Sequence, residues 1–126
     1  MPAAASANCV VVAARRAGET TLAACLVLAT TRADVNGLVR RRLDARKASF
    51  APQDDAVNAS GMSYGGITPI GLPSGWPILV DDAVAGAGDV VVGSGIRGSK
   101  LLVPGARLAE LPAAEVLAGL GVPARG

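Results

Sequence analysis

The chain has 126 residues, with twelve Lys and Arg against ten Asp and Glu and no His, for a formal net charge of +2. Without His it lacks the commonest general base and zinc ligand, and two Cys alone cannot complete a structural zinc site, so no metal and no cofactor is expected. The charge is too small for wholesale polyanion binding, and Phe50, Tyr64 and Trp76, the three aromatics, offer little for stacking readout of nucleic acid.

The length suits one compact domain over residues 1–126 with an aliphatic core of Val, Leu, Ile and Ala. The longest apolar run, Leu22 to Ala29, falls short of the ~20 residues that cross a bilayer. No basic segment precedes the first apolar residues, so a secretory signal is not expected. These features predict a cytoplasmic protein without a membrane partner.

CVVVAA, Cys9 to Ala14, and LAACLVLA read as two strands joined by the turn RRAGET, a β-hairpin buried on both faces. Cys9 and Cys25 are symmetric about Ala17, so the hairpin can set them opposite each other; a reducing compartment would keep them as small buried hydrophobes. Asp34 is placed to cap a short helix with Val35, Leu38, Val39 and Leu43 on one face and Arg40, Arg41 and Arg42 around the other.

Lys47 to Ala51 reads as a strand, and Pro52 with Asp54 and Asp55 opens a second helix that Gly61 closes. Gly61 to Pro77 is a loop with five glycines and three prolines, after which Ile78 resumes a strand pattern. Asp89 to Gly93 and Ser99 to Val103 form a further strand pair around a glycine turn. Pro104 starts a helix through Leu111, and EVLAGL is a last strand or helix. Five or six strands and three short helices predict an α+β fold, a mixed, partly closed, barrel-like sheet with short flanking helices.

Three segments carry candidate chemistry. GSGIRG, Gly93 to Gly98, has the letters of a dinucleotide fingerprint, but a strand and Pro104 follow it where that motif needs a helix. It is a tight glycine hairpin or a backbone wall of a ligand site. RRRLDARK holds five of the twelve cations, Arg40, Arg41, Arg42, Arg46 and Lys47. It is a solvated helix face or an edge that contacts RNA phosphates.

In YGGITPIGLP, Ile67, Ile70 and Leu72 anchor a loop whose Gly65 and Gly66 leave main chain bare. Two successive N–H groups of that kind can hold a carboxylate or the oxyanion of a tetrahedral intermediate. A serine hydrolase is disfavoured: Ser60, Ser63 and Ser94 are available, but only Lys47 or Lys100 could act as base.

GMSYGGITPIGLP, with ANCVVVA before it and VVVGSGIRGSKLLV after it, resembles the YbaK/EbsC-type aminoacyl-tRNA editing domain. That family includes Cys-tRNA(Pro) and Ala-tRNA(Pro) deacylases and the insertion domain of prolyl-tRNA synthetases. Its G-G-x-[ST]-P-x-G loop corresponds to Gly65, Gly66, Thr68, Pro69 and Gly71, and its later glycine turn to Gly93 to Gly98. The likeness runs from about Ala7 to the C-terminus.

The resemblance implies a deacylase that hydrolyses the ester of a small mischarged amino acid on tRNA, with the acceptor end of tRNA and a prolyl-tRNA synthetase as partners. Gly65 and Gly66 would stabilise the oxyanion and Asn8 would orient the ester or the terminal phosphate. Thr68, Pro69, Gly93 and Ser94 would contact the amino acid or ribose. Asn8 stands where the family carries a lysine, and the chain begins at MPAAAS where the family has a further helix and strand, which reads as an N-terminal truncation. The alternative is a module of the same fold that binds tRNA or aminoacyl groups without hydrolysis.

Overall fold

A computed structural model describes residues 5–123. Two uninterrupted aliphatic runs form its centre. β1 (Ala5–Arg16) and β2 (Glu19–Leu28) pair antiparallel across a two-residue turn in which Ala17 and Gly18 have φ of 50° and 82°. Two positive φ values match the turn twist to that of the strands. Alternate residues of β2 serve opposite cores: Ala24 and Leu26 pack with Val80, Val90 and Leu108, while Cys25 and Val27 pack with Val12, Val39 and Leu120. That is why the run is apolar throughout rather than alternating. Each fully buried Leu or Val contributes about 1.5–3 kcal/mol.

The hairpin register sets Cys25 opposite Val10 and Cys9 opposite Leu26. This corrects the expected opposition of the two Cys by one residue, and one residue turns a side chain to the other face. Cys9 packs on the first core and Cys25 lies in the second, and both thiols are free.

β3 (Thr31–Ala33) leads to Asp34, whose carboxylate accepts the N–H groups of Gly37 at 3.2 Å and Leu38 at 3.1 Å. The expected helix begins there as a wider π-helical turn, Val35–Val39, and continues as α1 (Arg40–Arg42), with Val35 and Val39 buried. β4 (Lys47–Phe50) and α2 (Gln53–Ser60) follow, the latter entered through Pro52 and closed by Gly61. Next come β5 (Ile78–Asp81), α3 (Asp82–Ala85), β6 (Asp89–Gly93), β7 (Lys100–Pro104), α4 (Gly105–Leu108), β8 (Ala114–Leu117) and β9 (Gly121–Pro123).

Nine strands and four α-helices among the described residues exceed the expected five or six and three. The surplus consists of short pieces. β3 and β9 have three residues each and form a separate two-stranded sheet, too short to carry a period-two signature. α4 ends at Leu108, short of the expected Leu111.

The main sheet runs β7-β6-β1-β2-β5-β8, with β4 added beside β1. β1–β6, β2–β5 and β5–β8 pair parallel and the remaining ladders antiparallel. The architecture is the expected mixed α+β one, a curled half-barrel with short helices on its flanks. No helix among the described residues is long and apolar enough to cross a membrane.

Candidate active site

A gap in this sheet makes a cleft. Along one edge β1 pairs with β2 from Ala7 to Arg16, but on the other edge β6 covers only Ala5 and Ser6 and β4 only Val12 to Arg15. Between them Ala7 to Val11 line a cleft of about 420 Å³, within the usual range for small-molecule sites. The carbonyls of Val11 and Arg15 accept the N–H groups of Ala51 and Arg46, each at 2.9 Å, on this edge. Main-chain groups alternate sides along a strand, so the N–H and C=O of Cys9 also face this edge, within the gap.

The opposite wall comes from two glycine loops clasped together. Gly66 donates its N–H to the Ser63 carbonyl at 2.9 Å, closing a turn in which Gly65, with φ of 86°, takes the position that requires positive φ. Ser63 donates to the Gly95 carbonyl at 3.0 Å, and Gly95 donates to the Gly66 carbonyl at 2.7 Å. The contact leaves no room for side chains. A Cβ on Gly66 would strike the Ile96 carbonyl, and one on Gly93 would lie 2.7 Å from the Gly66 carbonyl oxygen.

Residues 1–111 match the aminoacyl-tRNA editing domain family. The chain belongs to that family. No curated relative matches it in sequence. Among solved structures the editing domain is similar to the hypothetical protein APE2540, with a TM-score of 0.82 at 19% identity, over 97% of this chain and 77% of that one. It is also similar to a protein provisionally described as a trans-editing enzyme for prolyl tRNA synthetase, with a TM-score of 0.75 at 21% identity, over 90% and 68% of the two chains.

The cleft of the editing domain brings Asn8, Gly65 and Gly93 together. The expected pair of open amides is corrected to one: the Gly66 N–H is engaged inside its turn, while the Gly65 N–H makes no hydrogen bond among the described residues. Gly66 is a packing glycine, needed where two backbones touch.

Thr68 and Pro69 are buried and do not line this cleft. Thr68 is 2% exposed; its N–H donates to the Met62 sulfur at 3.4 Å, and its buried hydroxyl has no partner among the described residues. Pro69 lines a separate hollow with Leu72 and Trp76. The Ser94 hydroxyl donates to the Ser99 carbonyl at 3.1 Å, tying the turn that precedes β7.

The basic stretch divides. Arg42 makes a two-point contact with Glu115, its Nε 2.7 Å from Oε2, and this pairing holds the Arg42 guanidinium above its usual pKa range. Arg40 donates to the Asn36 carbonyl at 2.9 Å, and Arg41 is exposed. Arg46 instead joins Arg15 and Arg16 around a second hollow at the hairpin end, with Lys47 opposite Arg15 in register. No local pattern in the sequence marks Arg15 and Arg16, because only the β1–β4 pairing brings them to Arg46.

Three lining residues enlarge the site. Phe50 and Tyr64, 56% and 58% exposed, both line the cleft, so two of the three aromatics are within its reach. Lys100 lines it too, and its ammonium donates to the Gly65 carbonyl at 3.3 Å. Burial raises the Cys9 thiol above the usual range, with a smaller contribution from Cys25, so Cys9 is not primed as a nucleophile. Among the described residues no cluster of His, Cys, Asp and Glu could hold a metal.

Proposed function

We propose that this chain is a trans-acting cytoplasmic deacylase that hydrolyses the ester of a small mischarged amino acid on tRNA, of the Cys-tRNA(Pro) or Ala-tRNA(Pro) type. The observation that carries the reading is the cleft at the split edge of β1, where Asn8, Gly65 and two exposed aromatics meet. Asn8 and Gly65 supply donors to the ester, and the faces of Phe50 and Tyr64 stack the terminal base, at about 1–3 kcal/mol per stacked base. Thr68, Pro69, Gly66 and Ser94 set the shape of the loops from behind. Gly93 is part of the lining.

The Arg15, Arg46 and Lys47 cluster lies six residues along β1 from Cys9, roughly 20 Å at ~3.3 Å per residue. Phosphates of the acceptor stem fit that cluster, with Arg40 and Arg41 as outlying contacts. A prolyl-tRNA synthetase is the natural partner, as the source of such mischarged tRNA.

Purified protein incubated with Ala-tRNA(Pro) and Cys-tRNA(Pro) should release the amino acid faster than buffer does. No release from any mischarged tRNA in a panel would sink the hydrolytic reading. One observation favours a second reading, binding without hydrolysis: Asn8 brings no charge to the position where the resembling family carries a lysine. That reading predicts tRNA affinity with a steep salt dependence and no release.

A further inference from the structure

We propose that the Lys100 ammonium is the anion-holding group of this cleft and receives the negative charge that develops on the acyl oxygen of the substrate. The inference rests on the hydrolytic reading for its substrate, but not for the charge it assigns to the site.

Four observations converge on it. The β6–β7 register sets Lys100 opposite Gly93, and both line the cleft. Lys100 is the sole ionisable cation and no Asp or Glu is present among the described lining residues, so nothing in the cleft neutralises it. Its Nζ lies 3.3 Å from the Gly65 carbonyl, which holds the ammonium beside a residue whose own N–H makes no hydrogen bond among the described residues. An ammonium has three N–H donors, so the bond to Gly65 leaves two for a ligand. Finally, the Gly66 amide is engaged with Ser63, and the other donors of the lining, main-chain amides and Asn8, are neutral, so that without Lys100 a developing oxyanion has no charged partner. Arg97 passes Gly65 with its Cγ, about 3.9 Å from where a Gly65 Cβ would sit, and is not among the lining residues.

In the reaction, the oxygen of water or of the neighbouring ribose hydroxyl bonds to the ester carbonyl carbon, and the carbonyl π pair moves onto the acyl oxygen. Lys100 and the Gly65 N–H hold that oxyanion. On collapse the C=O re-forms, the bond to the ribose oxygen breaks, and that oxygen takes up the proton released by the attacking hydroxyl. Attack by water releases the free amino acid; attack by ribose transfers it to the neighbouring oxygen, from which water then removes it. Lys100 keeps its proton throughout and acts by charge alone.

The test compares wild type with Lys100→Met and Lys100→Arg, in kinetics and in binding. Loss of one oxyanion donor should lower kcat for Ala-tRNA(Pro) by about 10²–10³ in Lys100→Met with little change in KM, and Lys100→Arg should recover most of the loss. The binding arm uses two adenosine probes, a 3′-(1-aminoethyl)phosphonate monoester, which is tetrahedral and anionic, and a neutral 3′-alanylamide. Lys100→Met should weaken the phosphonate by about tenfold or more and the amide by far less, since only the anion makes a charge-assisted contact. Equal affinity of both proteins for the phosphonate, or equal weakening of both probes, overturns the assignment. Should wild type release no amino acid, the hydrolytic reading fails on its own, and the phosphonate-to-amide comparison still decides the role of Lys100.

Discussion

Gly95 donates its N–H to the Gly66 carbonyl at 2.7 Å, so the loop before β5 and the loop between β6 and β7 act as one wall. The reach of Lys100 to Gly65 and the position of Gly93 both depend on that clasp.

Gly66→Ala should therefore act first on stability. Its Cβ would meet the Ile96 main chain, which cannot swing aside like the end of a side chain. Overpacking of this kind costs about 1–3 kcal/mol, visible as a lower denaturant midpoint with an unchanged slope. A Gly66→Ala protein as stable as wild type would show that the two loops are not in contact in solution.

The divided basic stretch yields a contrast in tRNA binding. Arg46→Gln should weaken binding and reduce the slope of log affinity against log salt by about one, as expected for loss of one phosphate contact. Arg42→Gln should leave both nearly unchanged, because Glu115 already occupies that guanidinium. Equal effects from the two substitutions would mean that the pair opens on binding.

Both thiols should be slow to react. Burial raises Cys25 from 9.0 to about 12 and moves Cys9 in the same direction. At pH 8, iodoacetamide should modify the native chain far more slowly than the unfolded chain, because the thiolate is the nucleophile. The unfolded thiols ionise first, so this contribution to stability is complete below pH 9 and is lost as pH rises above it. Mild oxidation should form no bond between Cys9 and Cys25, whose side chains lie on opposite faces of the sheet; an intramolecular disulfide in the native protein would contradict the register.

Asp81 supplies a pH signature. It is buried, and burial raises its carboxyl above 3.8 against the opposing pull of the Gly121 and Ala83 main chain, with Asp82 adding to the rise. A raised folded value means that the folded state holds the proton more tightly than the unfolded chain. The stabilisation is thus complete below pH 3.8 and declines as pH climbs through the folded value. Subtracting the stability-against-pH curve of Asp81→Asn from that of wild type should leave a component that falls with rising pH in the acid range. A flat difference would show that Asp81 titrates alike in both states.

The chain's local chemistry accounts for much of the fold. The aliphatic runs around RRAGET specify the hairpin, Asp34 caps the first helix, and Pro52 with Gly61 bounds α2. Each is decided by residues within a few positions of one another. The glycine loop was legible as a place of close approach, because a segment with bare main chain and apolar anchors has few other uses. What approaches it was not legible, since the nearest neighbour of Gly66 is the Ile96 carbonyl, thirty positions away.

The same distinction governs the cleft. Composition and motif order sufficed for a mixed sheet without His chemistry and for the family, because both follow from residue types and their succession. The union of Asn8, Phe50, Tyr64 and Lys100 in one hollow belongs to the folded sheet alone. It arises where β4 and β6 part along β1, and strand partnership is set by packing between elements far apart in the chain, on which no local pattern bears.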